Sequence, residues 1–209
     1  DRARADRVGF RRAFGSGGAV ALLTAFFVVM LAGSFAMPIF PLLVEDIGAG
    51  DRVASTAGLL LGISGLAAGL SALLAGMVGD RIGYRPALIA WIVAGALFSA
   101  PHALAHSVLQ LALLRMGMGF SRGGTAPVLN AMVAQAVSPD NYGRCFGIAR
   151  TASALGLAVG PMLGGIAAAH LGVRTPFLIM SALMCLNALI IAVLVPPGER
   201  ARSTPAPED

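Results

Sequence analysis

Apolar residues run along the chain in six long stretches separated by short polar ones. The runs cover about 17–44, 54–78, 86–104, 108–137, 145–169 and 175–195. A helix needs about 20 residues to cross a hydrocarbon core of ~30 Å, and each run is about that long. In lipid, an open strand or loop leaves backbone groups unpaired, so each run is expected to be a helix. The punctuation reads Glu45-Asp46 to Arg52, Asp80-Arg81-Ile82-Gly83-Tyr84-Arg85, Pro101-His102 to His106, Ser138-Pro139-Asp140-Asn141, and His170 to Arg174. The pattern divides the chain into a basic head (1–16), a six-span body (17–196) and a polar tail (197–209), with both ends expected to be mobile.

Sliding the chain by 89 residues aligns Pro38 with Pro127, Ser64 with Ser153, Leu66 with Leu155, Gly76 with Gly165, Gly83 with Gly172 and Arg85 with Arg174. Spans one to three therefore resemble spans four to six. Three is odd, so the second copy must lie upside down in the membrane, a plan found in several transporter folds. The expected fold class is an all-α integral membrane protein of six transmembrane helices in an inverted three-plus-three repeat.

Composition sharpens this. The chain is 57% hydrophobic and 12% charged, with mean hydropathy +0.81. Soluble domains carry about 25% charged residues, so a water-soluble fold would lack enough charge to cover its surface. The net charge is +5, and all fifteen basic residues are Arg. Most of them cluster at the ends of the apolar runs, which points to membrane orientation rather than nucleic acid. Arg2, Arg4, Arg7, Arg11 and Arg12 lie in the head, Arg81, Arg85 and Arg144 in the second and fourth loops, and Arg200 and Arg202 in the tail; the other loops hold Arg52 and Arg174. Ten against two places both ends and the even loops in the cytoplasm of a multi-pass protein of the cell (inner or plasma) membrane. Cys145 and Cys185 fall at different depths and do not suggest a disulfide. The chain begins with Asp1 and shows no cleavable signal peptide, which reads as a start other than the natural protein's N-terminus.

Four local patterns carry candidate chemistry. In Gly76-Met77-Val78-Gly79-Asp80-Arg81-Ile82-Gly83-Tyr84-Arg85, the first two glycines suit a close helix approach. Asp80 can face a helix N-terminus, and Gly83 permits a tight turn. In span five, Gly156, Gly160 and Gly164 form a small-residue face beside Pro161 and Gly165, which suits close packing and a bend. In span four, Arg115 and Arg122 lie seven residues apart on one face. Arg115 can snorkel to the outer interface, whereas two buried cations argue for a water-filled cavity or carboxylate partners. No span holds an acid away from its ends, so such a partner must come from outside this chain. In span one, Phe26, Met30 and Ser34 accompany Phe27, Phe35 and Met37 before Pro38-Ile39-Phe40-Pro41. Met and aromatic rings suit either a pocket for varied apolar compounds or plain packing, and the prolines flank a bend. His102, His106 and His170 are expected at the solvated outer surface. Asn130 and Gln135 are expected to bond between helices, and Asn187 to make a packing contact.

The second-loop pattern resembles the signature of the major facilitator superfamily, Gly-x-x-x-Asp-Arg-x-Gly-[Arg/Lys]-[Arg/Lys]. Gly76, Asp80, Arg81, Gly83 and Arg85 match, and Tyr84 replaces a basic residue. Gly156, Gly160-Pro161 and Gly164-Gly165 resemble that family's antiporter motif, and Arg115 its fourth-helix Arg. Arg122 belongs to neither. Together with Pro38-Ile39-Phe40-Pro41-Leu42, Leu113-Leu114-Arg115 and Pro127-Val128-Leu129-Asn130, these residues are most similar to the C-terminal half of twelve-helix drug/proton antiporters, although the antiporter motif is usually strongest in the N-terminal half. The resemblance implies a charge relay through Asp80, Arg81 and Arg85 that latches the cytoplasmic ends of two halves. It also implies a cavity lined by the first, second, fourth and fifth helices, with Phe26, Met30, Ser34, Arg115 and Arg122 as candidates.

The function so implied is proton-driven export of small apolar or amphipathic compounds by alternating access. The proton gradient is the energy source, and no cofactor, metal or enzymatic activity is expected. The partners are a small-molecule substrate, the lipid bilayer and a missing six-helix half, with no nucleic acid. An uptake permease for an anionic or sugar-like solute is the alternative. From another class, the alternative is a membrane receptor, assembly subunit or inactive fragment that transports nothing.

Overall fold

The computed structural model describes residues 17–48, 50–136 and 141–195. The head with its five arginines, the tail and Ser138-Pro139-Asp140 lie outside the described residues. Among the described residues seven α-helices follow in order: α1 (Gly17–Phe35), α2 (Phe40–Asp46), α3 (Val53–Ile82), α4 (Tyr84–Ser99), α5 (Val108–Ala136), α6 (Tyr142–Leu171) and α7 (Thr175–Leu194). A short 3-10 turn, Ala100–Leu104, extends α4. By length and composition, five stretches among the described residues can cross a membrane: Val20–Asp46, α3, Tyr84–Leu104, α6 and α7. At 29 residues α5 is long enough, but it is the least apolar of the long helices; Arg115, Arg122, Asn130 and several hydroxyls interrupt it.

The first apolar run is two helices rather than one. Pro38 and Pro41 have no amide hydrogen, so the carbonyls of Ser34 and Met37 lose their ordinary helical donors. The Met37 amide turns back to the Ser34 carbonyl instead (3.1 Å), and Phe40 rejoins the ladder at the Ala36 carbonyl (3.0 Å). Pro127 and Pro161, by contrast, sit inside continuous helices.

The 89-residue offset is a property of the fold. Both α3 and α6 have 30 residues, and the offset carries each end of one onto the other. Each ends on a glycine with φ near +90°, Gly83 (φ 92°, ψ 147°) and Gly172 (φ 89°, ψ 158°), a region that is essentially glycine-only. The packing obeys the same operation. The broadest contacts, α3 on α5 and α1 on α6, exchange under it, as do α4 on α5 and α7 on α1.

The helices α4 and α7 meet each other, and each opens with an arginine that serves the far end of its partner. Arg85 donates to the Ala192 carbonyl in the last turn of α7. Arg174 donates to the Ala103 carbonyl just past α4 (3.0 Å). These are the same contact under the offset. The reciprocal arrangement requires α4 and α7 to run antiparallel, so the second copy is inverted. Each arginine meets carbonyls that the end of a helix leaves without an amide donor. Arg174 also pairs with Asp46 (2.8 Å), which ties α2, the end of α4 and the start of α7 together at the face opposite the Asp80–Arg85 loop.

Candidate functional site

Close backbone approach between α1 and α6 makes the first element of the site. A Cβ on Gly156 would run into the Phe27 carbonyl oxygen, and one on Gly164 into that of Phe35. At Gly160 it would meet the Ser34 hydroxyl and stand 2.7 Å from the Leu31 carbonyl oxygen. Glycine on every fourth residue is what lets the two backbones touch. The inverted copy repeats the seam with the glycines on the other helix: a Cβ on Gly119 or Gly123 of α5 would overlap the carbonyls of Ser64 or Ala68 in α3. At Gly165 and Gly76, paired by the offset, a Cβ would find nothing within 4 Å. Gly76 therefore makes no close helix approach among the described residues; it faces an open flank.

Ser34 belongs to the seam. It is buried, and its hydroxyl is shared among the carbonyls of Met30 (2.8 Å), Leu31 (3.2 Å) and Gly156 (3.3 Å). Met30 is half-buried against Gly156, and Phe26 is buried in the core.

A small cleft opens between α1, α4, α5 and α7. Its apolar walls are Val29, Ile92, Met118 and Met184. Gly33 and Gly95 complete it without side chains, and Ser121, Arg122 and Thr125 border it, leaving a lining that is almost wholly apolar. The Ser121 hydroxyl is committed to the Trp91 carbonyl and the Thr125 hydroxyl to the Ser121 carbonyl (2.8 Å). Arg122 is exposed, with its stem near Gly33. Of the five residues expected along a cavity, Arg122 is the one that lines this cleft.

Arg115 is buried (8% exposed), and its guanidinium carbon stands 3.5 Å from the centre of the Phe40 ring. A cation on a desolvated aromatic face gains about 2 kcal/mol or more. Its Nε and Nη2 have no hydrogen-bond partner among the described residues. The break before α2 is what sets Phe40 over it.

In the signature loop, Asp80 accepts a hydrogen bond from the Tyr84 hydroxyl (2.6 Å). Gly79 makes room for this: a Cβ there would stand 2.8 Å from the Tyr84 ring. The residue that departs from the family signature is thus the one Asp80 binds. Arg81 is exposed, and Arg85 is turned to α7.

Three expectations need correction. His102 is fully buried rather than solvated: it stacks on Phe177 (ring centres 5.2 Å apart, 4° between planes), with Nδ1 2.8 Å from the Phe98 carbonyl oxygen. His106 and His170 are exposed. Asn130 and Gln135, expected to bond between helices, are exposed; Asn187, expected to make a packing contact, is buried with neither amide atom bonded. Sequence reasoning passed over Val29, Gly33, Gly95 and Met184. Their common signal is weak, since each is an ordinary residue for a membrane helix.

Comparison with known proteins places these features in a family. The Major Facilitator Superfamily profile matches residues 22–209. The chain is 31% identical over 169 residues to the multidrug resistance protein MdtG of Erwinia billingiae, covering 80% of this chain and 41% of that protein. It is 30% identical to the MdtG proteins of Dickeya zeae (81% and 42% covered) and Escherichia coli (80% and 41%). The chain therefore spans about 40% of the length of these relatives. Among solved structures, it superposes on the human organic anion transporter MFSD10 (TETRAN) with a TM-score of 0.73 at 23% identity, covering 87% of this chain and 47% of that one. That likeness concerns the fold.

Proposed function

The chain belongs to the Major Facilitator Superfamily, and from that membership we propose that it forms one half of a secondary transporter that exports small apolar or amphipathic compounds. The observation that carries the export reading is the α1–α6 seam. The glycines that match the antiporter motif, Gly156, Gly160 and Gly164, are the ones seated on the α1 backbone. Gly164 meets Phe35, the last residue before the break at Pro38. A rigid glycine seam ending at a helix break lets α2 change its angle while α1 stays fixed on α6. The curated relatives carry multidrug resistance names, which supports the same reading.

Alternating access then rocks this half against a second one. The open flanks of α3 and α6 are the seats for it, since only 17% of the most apolar stretch of each is buried, against 56% for the first span and 50% for the third. The signature loop through Asp80, Arg81 and Arg85 latches the two halves at the cytoplasmic face. The proton gradient drives the cycle, and the proton-carrying acid lies in the other half, because the spans here hold acids only at their borders. The protein resides in the inner or plasma membrane with both ends of this half in the cytoplasm.

The test is drug accumulation in cells that produce the full gene product, with and without a protonophore. Expression is expected to lower the accumulation of amphipathic dyes, and the protonophore to restore it. Accumulation unchanged by deleting the gene would sink the export reading; export indifferent to the protonophore would sink the coupling.

A further inference from the structure

We propose that Tyr84 positions the Asp80 carboxylate for the other half, holding Oδ1 and leaving Oδ2 and the negative charge on offer. The proposal rests on the reading of the signature loop as a latch, and it names the residue that sets the latch. Asp80 and Tyr84 stand on either side of the break between α3 and α4, where Gly83 (φ 92°) turns the chain. The Tyr84 hydroxyl donates to Asp80 Oδ1 at 2.6 Å, the length of a hydrogen bond to a charged oxygen. The ring that carries this hydroxyl is half-buried and packs against the core. It lies over Gly79, where a Cβ would stand 2.8 Å from it. Packing thus fixes the ring, and the ring fixes the carboxylate.

Neither arginine of the loop takes up the charge. Arg85 donates to the Ala192 carbonyl, and Arg81 is exposed. Among the described residues Asp80 has no ion pair, and Oδ2 accepts no hydrogen bond. A carboxylate can accept several bonds, and a phenol holds one of its oxygens without cancelling its charge. The position along the helix also suits a latch. Ala72, Gly76 and Asp80 follow at intervals of four, with Leu73 and Met77 beside them, and all five are exposed. They form one stripe along α3, on the open flank that seats the other half, and Asp80 ends the stripe at the signature loop. A carboxylate already held in one rotamer there meets its counterpart with less loss of side-chain freedom than an untethered one.

The experiment reads how well the flank is covered. In a cysteine-free background of the full gene product, Met77→Cys places a thiol on the stripe one turn from Asp80. Its rate of labelling by a maleimide is measured in opened membranes, where both faces are reached. Asp80→Asn is expected to speed labelling, because the flank is uncovered more of the time. Tyr84→Phe keeps the ring over Gly79 and removes only the hydroxyl. It is expected to speed labelling about 2- to 10-fold, what one net hydrogen bond contributes, with the thermal midpoint held. The double variant is expected to label no faster than Asp80→Asn alone, since the hydroxyl acts through the carboxylate. Labelling of Tyr84→Phe at the wild-type rate overturns the proposal. Effects of the two substitutions that multiply also overturn it, and assign Tyr84 to packing alone. If Asp80→Asn itself leaves the rate unchanged, the latch reading falls with the proposal; if it speeds labelling and Tyr84→Phe does not, the proposal falls alone.

Discussion

At Gly164 the nearest atoms are backbone, the carbonyl of Phe35, and backbone cannot rotate out of the way of a new methyl group. At its neighbour Gly165 there is open space. Gly164→Ala is therefore expected to lower the free energy of unfolding in a reversible SDS titration by about 1–3 kcal/mol. Gly165→Ala should stay within about 1 kcal/mol of the wild type. Equal effects at the two sites would show that the seam is not what the glycines are for. The seam was legible in the sequence because glycine on every fourth residue has few other uses in a helix. The cleft was not. Met30 and Ser34 stand one residue along from Val29 and Gly33, and one residue turns a helical side chain by about 100°, so naming the helix does not name its face. Gly76 misled for another reason: a close approach needs a partner, and none stands there within this half. His102 misled because its position near a loop suggested water, while Phe177, more than 70 residues later, covers it.

The helix α2 is the element with the least covalent support: seven residues after a proline break. Two arginines hold it, Arg115 through the Phe40 ring at its start and Arg174 through Asp46 at its end. The Asp46–Arg174 pair is half exposed (50% and 33%), so its contribution to global stability is about 0.2–1 kcal/mol. Its effect should be local. Asp46→Asn is expected to leave overall unfolding within about 1 kcal/mol while speeding amide hydrogen exchange at Leu43 to Ile47 several-fold. Unchanged exchange in that stretch would show that the tether does not restrain α2. The break itself was legible from Pro38 and Pro41. That the shorter piece would be clamped at both ends was not, because Arg115, Arg174 and Phe40 are far apart in sequence.

For the whole molecule, the uneven burial of α3 and α6 fits a body that presents two flanks to something beyond itself, and the half-length match to its relatives agrees. The proposed orientation can be checked directly. In a background with Cys145 and Cys185 replaced by Ser, an impermeant maleimide is expected to label Ser107→Cys in intact cells and Arg81→Cys only after the membrane is opened; the reverse pattern would invert the topology. Under that orientation the antiparallel arginine pair faces two different compartments. An inverted repeat carries the matching cations to the side where membrane insertion disfavours them. Arg174 is that misplaced cation, and Asp46 neutralises it. Its twin Arg85 is on the favoured side, and the residue that the offset sets in the place of Asp46 is the uncharged Gln135. The two ends share one structural contact and differ in its charge, so that the same packing arrangement serves at both faces of the membrane.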